Sequence, residues 1–176
     1  MVIKLKSDDE ILIMREAGRI VANTLAQLRE MIKPGLNVLE IEKFVREEYK
    51  RVGAKETFLN YAPGGKVPYP SNICVSINDE LVHGIPKNRT LQEGDIVSLD
   101  LGATYNGYVG DSAITVPVGK VNPIAEKLEP LVVVAPHGEV RLGDHRSVGV
   151  LDGVDAADVV VVALGEDHRM DRRRVD

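Results

Sequence analysis

Asn106-Gly107 divides two β-rich runs in the stretch "GDIVSLDLGATYNGYVGDSAITVPVG", residues 94–119. A two-residue Asn-Gly connection between alternating apolar runs is the strongest short-range hairpin signal a sequence carries. It also fixes the register. With Asn106 and Gly107 as the turn, Tyr105 pairs with Tyr108, Asp100 faces Ala113, and Asp111 faces Gly102. Val97, Leu99, Leu101, Ile114 and Val116 then share one face, an apolar set suited to a core. The two aspartates share the other face as diagonal neighbours, roughly 7 Å apart at the backbone. A strand with one buried face does not ordinarily carry a carboxylate at its middle, and this hairpin carries two.

Two carboxylates this close repel, and in a concave site one takes up a proton unless a cation lies between them. The small neighbours Ser98, Gly102 and Ala113 leave room for oxygen-ligated metal ions, which two-metal hydrolases hold about 4 Å apart. A solvated face, common in antiparallel sheets, is the ordinary alternative. Spacing does not choose between them.

The segments before the hairpin read as helices. Ser7 and Glu10 form a capping box ahead of a stripe at Met14, Ala17, Val21, Leu25, Leu28 and Ile32, which Pro34-Gly35 ends. Asn37 with Glu40 predicts a second capping box, followed by Val38, Ile41, Val45, Tyr49 and Val52 up to Gly53. Residues 54–71 read as a loop. "NICVSI", a turn at "NDE" and "LVHGIP" read as a further hairpin. Two helices followed by two hairpins predict an α+β domain, with two helices packed on an antiparallel sheet.

Other features mainly exclude. A chain of 176 residues suffices for a real core. A net charge of -5 argues against direct reading of nucleic acid. Cys74 is the single cysteine, so no internal disulfide or Cys-x-x-Cys zinc site forms. By itself it reads as a small buried hydrophobe. The start "MVIKLKSDDE" has no apolar signal core, and the longest apolar run, Val159–Leu164, is too short for a membrane span. The expectation is a cytoplasmic protein with no membrane contact. His83 beside a Gly-Ile-Pro turn reads as structural on its own. His137, His145 and His168 have no ligand-like spacing and are expected at the surface.

The composition changes after Glu129. Residues 130–176 contain no Lys, Ile, Asn, Gln, Thr, Phe or Tyr, while 12 of the 47 are Val and 7 are Asp. The missing residues are largely those with A/T-rich codons, as a GC-rich frame read out of register would produce. The chain is therefore read as two parts: 1–129, and a Val/Asp/Gly/Arg-rich tail at 130–176, frameshifted or disordered.

From about Ile3 to Glu129 the sequence resembles type I methionine aminopeptidase. The resemblance rests on the helix "ILIMREAGRIVANTLAQLREMIKPG", on "NICVSINDELVHGIP" and on the hairpin quoted above. It implies the first half of a pita-bread fold, in which two similar α+β halves enclose two divalent metal ions (cobalt, manganese, iron or zinc). It implies that Asp100 chelates one metal and Asp111 bridges both. His83 would hydrogen-bond the substrate near the scissile amide, and Tyr69 and Cys74, with Tyr61, would line the pocket for the methionine side chain. The implied substrate is the initiator methionine of nascent polypeptides, in the cytoplasm and beside the ribosome. The remaining implied residues have no match in residues 130–176: a metal-ligating His in a Gly-His-Gly context, a second His in the catalytic region and two Glu ligands, one of them the general base. Two of the five implied ligands, Asp100 and Asp111, are therefore present. Three alternatives follow: a non-catalytic pita-bread module that binds peptide or protein, a creatinase-type or proline-specific relative, and an inert half-domain. The last would self-associate through an exposed sheet edge.

Overall fold

The computed structural model describes residues 5–128 and, beyond them, four short strands at 132–134, 139–142, 146–149 and 160–162. Helix α1, Asp8–Met31, opens with the expected capping box. Ser7 Oγ accepts the Glu10 N–H at 3.2 Å, and Glu10 Oε2 accepts the Ser7 N–H at 2.6 Å. Asp8, Asp9 and Glu10 place negative charge where the helix dipole favours it. The stripe Ala17, Val21, Leu25 and Leu28 is buried throughout. Helix α2, Val38–Val52, ends on Gly53 in the left-handed conformation, φ 75°. Its start differs from expectation. Asn37 accepts from the Leu39 N–H at 3.0 Å, while its amide donates to Asn88 at 2.7 Å. The cap is thus a single Asn acceptor tied to a distant loop, one residue short of the capping-box pairing.

Strands β1 (Lys55–Glu56), β2 (Cys74–Ile77), β3 (Ile96–Tyr105) and β4 (Tyr108–Pro117) build the main sheet. Asn106 and Gly107 both have positive φ, 47° and 87°, as a type I′ turn requires. β3 and β4 pair over ten consecutive residues in the predicted register, with Asp100 opposite Ala113 and Asp111 opposite Gly102. Val97, Leu99, Leu101, Ile114 and Val116 are all buried with the stripes of both helices in one core. β2 and β1 both pair antiparallel with the other flank of β3. The main sheet and the two helices therefore form the predicted α+β arrangement.

The expected first hairpin is not formed. β2 pairs with β3 instead of with "LVHGIP", which is a loop. Leu81 and Val82, which read as strand residues, are 87% and 76% exposed. The segment touches the other flank of β2 around Gly84, through the Val75 N–H to Gly84 O bond at 2.8 Å and the Gly84 N–H to Ser76 Oγ bond at 3.2 Å, and forms no ladder. Further along the chain come α3 (Pro123–Leu128), β5 (Val132–Val134), β6 (Glu139–Leu142), β7 (Arg146–Gly149) and β8 (Val160–Val162). β5, β6 and β7 form a separate antiparallel sheet, and β8 adds to the outer edge of β4. The edge expected to be open is thus bridged over Asp111–Ala113.

Helix α1 crosses β4 at Gly110. A Cβ there would lie 2.6 Å from Ala17 C and from Gly18 N, well inside van der Waals contact with rigid backbone. Gly110→Ala is expected to lower the urea midpoint at unchanged m-value, a loss of about 1–3 kcal/mol. Equilibrium unfolding followed by circular dichroism measures it.

Candidate metal-binding site and its substrate face

The face of the sheet turned away from the helices carries one thiol and two carboxylates side by side. β2 places Cys74 directly opposite Asp100 on β3, and β4 brings Asp111 to the diagonal position. Both carboxylates are half-buried. Desolvation raises the Asp111 carboxyl first, and the Asp100 charge raises it further, to about 6. Asp100 is also raised by burial, with the nearby His83 charge pulling the other way. Cys74 is pushed up to about 11, mainly by burial, with both aspartates adding to the rise against a hydrogen bond from Tyr69. It is a neutral thiol at physiological pH.

Two loops close over this face. Tyr69 is fixed through its backbone, which donates to Tyr61 O at 3.0 Å and accepts from Asn60 N–H at 2.8 Å. Its hydroxyl donates to Gly84 O at 2.9 Å and reaches Ile73 O at 3.3 Å. Burial, then the Cys74 contact and the Asp100 charge, hold the Tyr69 phenol in its protonated form. Gly84 O also accepts the Val75 N–H at 2.8 Å, and Gly84 N–H donates to Ser76 Oγ at 3.2 Å. A Cβ on Gly84 would fall 2.2 Å from Val75 O, so only glycine fits. The loop is therefore clamped to β2 one residue after His83. His83 itself sits at φ 70°, a left-handed conformation costly for a residue with a Cβ and persisting where surrounding contacts enforce it.

The structure thus gathers Tyr69, Cys74, His83, Asp100 and Asp111. Tyr61 is linked to them through its backbone, but its side chain is 59% exposed at the rim. Two neighbours escape a reading of the sequence. Phe58 covers Gly102, with Cε1 3.0 Å from the Cβ that glycine lacks. Ser76 holds the His83 loop by accepting from Gly84 N–H and donating to Leu81 O at 3.3 Å. The only signals were an aromatic inside a Gly/Pro-rich loop and a serine inside an apolar strand. His137, His145 and His168 lie outside the described residues.

For a hard divalent cation the donors are right in kind, being two oxygen ligands on one face with small neighbours. They fall short in number. Among the described residues no group of three or more His, Cys, Asp or Glu comes together around one ion.

The sequence model of metallopeptidase family M24 matches residues 13–135, and the chain belongs to that family. The methionine aminopeptidase of Aquifex aeolicus is 49% identical over 130 residues, covering 73% of this chain and 50% of its own length. Methionine aminopeptidase 1 of Bacillus subtilis is 47% identical over 123 residues, 70% of this chain and 48% of its own. The crystal structure of the Thermotoga maritima methionine aminopeptidase superposes with a TM-score of 0.67 at 37% identity, covering 74% of this chain and 51% of that one. The chain spans about half the length of the curated relatives it matches, and its two helices on an antiparallel sheet are the corresponding part of the pita-bread fold.

The raised Asp111 carboxyl has a consequence for stability. Its native value of about 6 lies above the ordinary 3.8. Between those values the native chain binds more protons than the unfolded chain, so this group makes stability fall as pH rises through the interval. The penalty is complete above about pH 6. Metal-free Asp111→Asn is therefore expected to melt several degrees higher than the unsubstituted chain at pH 7.5. The difference should close by about pH 4. Thermal melts in chelator across that range measure it.

Proposed function

We propose that this chain carries one half of a metal-dependent aminopeptidase that removes the initiator methionine from nascent polypeptides in the cytoplasm. The observation that carries this reading is the placement of Asp100 and Asp111 as diagonal neighbours on one half-buried face, beside Cys74, Tyr69 and His83. In this reading Asp100 and Asp111 would be the residues of this half that hold divalent cations. Cobalt, manganese, iron and zinc are the candidates. Bound divalent ions lower the pKa of a water and polarise a peptide carbonyl. Tyr69 and the neutral, polarisable Cys74 thiol form a wall suited to a thioether side chain, and Tyr61 stands at its rim. His83, held away from the core by the Gly84 clamp, donates a hydrogen bond to the substrate near the scissile amide.

The rest of the centre, including the base, comes from outside the described residues. With two carboxylates alone the described half binds cations weakly and does not turn over. No helix among the described residues is long and apolar enough to cross a membrane, and work beside the ribosome suits a nascent-chain substrate. The exposed Val67, Leu81 and Val82 around the site favour a second reading, a peptide-binding module without catalysis.

Manganese titration of the purified chain, paired with release of free methionine from a Met-headed tripeptide, tests both. Weak, saturable binding that is lost in Asp111→Asn, without methionine release, is expected. Metal-dependent release lost in Asp111→Asn would overturn the claim that the half is incomplete. Undetectable metal binding would overturn the metallopeptidase reading in favour of the binding module.

A further inference from the structure

The two flanks of the main sheet are built differently. On one side β3 is covered by β2 and β1, four and two residues long. Short edge strands offer few unpaired backbone groups to another chain. β4 on the other side runs ten residues in unbroken register with β3. Sheets refuse extra strands by means of edge lysines, bulges and interior prolines. β4 has no bulge, no lysine or arginine, a single charge at Asp111, and a proline only at its last residue. It is the flank of a strand that is meant to be paired.

In this chain the pairing comes from β8. Asp111 lies opposite Val162, Ser112 opposite Val161, and Ala113 opposite Val160, antiparallel. β8 also lies against α1. It covers three residues of a ten-residue strand.

We propose that the outer edge of β4 is a strand-acceptor site, that β8 fills it in cis, and that the occupant after β8 is displaced is the β4 edge of a second copy. An antiparallel edge is self-complementary about a twofold axis, since each strand offers the donors and acceptors the other needs. Pairing centred on Ser112 sets Asp111 of each copy opposite the partner's Ala113, so the one charge on the edge never meets itself directly. That centre is the stretch β8 already uses, which establishes that its backbone groups are reachable. The same twofold keeps both aspartate pairs on one continuous face of the joined sheet, because residues that pair share a face. β8 thereby keeps the chain monomeric. The inference rests on strand pairing alone and stands apart from the metallopeptidase reading.

The test uses the full chain. Sedimentation velocity of the unsubstituted protein should give one species at the chain mass of 19.2 kDa, independent of concentration. Val160→Pro/Val162→Pro removes the β8 ladder donors, and the variant should shift towards twofold mass as concentration rises. A folded variant that stays monomeric overturns the proposal, and so does an unsubstituted chain that dimerises. Native-state hydrogen exchange on the unsubstituted chain gives a second check that needs no mutant to fold. The Asp111 and Ala113 amides point outward from β3, so both should exchange well below the intrinsic solvent rate, and either one exchanging at that rate overturns the pairing with β8.

Discussion

The ladder between β3 and β4 is the constraint on which the rest of the structure depends. One two-residue turn sets ten pairs at once, and the alternation of side chains converts that register into two opposed surfaces. On one surface five aliphatic side chains meet both helices. On the other, two carboxylates are held close together in a partly dry setting that pushes the Asp111 carboxyl up to about 6. The core and the site are two sides of a single pairing. A one-residue slip would bury both acids against α1 and α2 and expose the aliphatic set, so the hydrophobic effect that folds the domain also positions the carboxylates.

The second requirement is the close approach of backbone to backbone. Gly110 lets α1 lie directly on β4, and Gly84 lets the His83 loop lie directly on β2. The first contact fixes the helix layer on the hairpin. The second holds a histidine in a left-handed conformation at the margin of the acid face. Neither glycine is there to make a turn. Each is the absence of a side chain where two main chains meet, which explains how an exposed histidine can be placed with the precision of a core residue.

What the amino-acid sequence discloses follows from the range of each interaction. The Asn106-Gly107 turn, the aspartate pair, the Ser7–Glu10 box and the Gly53 cap are local, and all stand in the structure as read. The "LVHGIP" strand is absent because apolar alternation there imitates a strand, while His83 leaves the extended region at φ 70° and the segment meets β2 around Gly84 without a ladder. At Asn37 the side-chain oxygen caps Leu39 instead of Glu40, while its Nδ2 donates to Asn88, a partner distant in sequence that no local pattern announces. Phe58 and Ser76 were invisible for the same reason: their roles exist only once the loops have folded over the sheet. Cys74 was legible as a buried small residue, but its place opposite Asp100 comes from a β2–β3 pairing that no local pattern announced.

Glu10 has two partners that arise at very different moments in the life of the chain. One carboxylate oxygen closes the capping box with Ser7, and the other accepts the Tyr108 hydroxyl at 2.6 Å, across 98 residues of sequence. On a ribosome adding roughly 5–20 residues per second, the first bond is available almost at once and the second only about 5–20 s later. During that interval α1 has its cap but no sheet to lie on, and its apolar stripe is exposed to whatever waits at the tunnel exit. The Tyr108 bond ties the start of α1 to the start of β4, so the cap of the first helix gains its second anchor only once the hairpin turn at Asn106-Gly107 has been made.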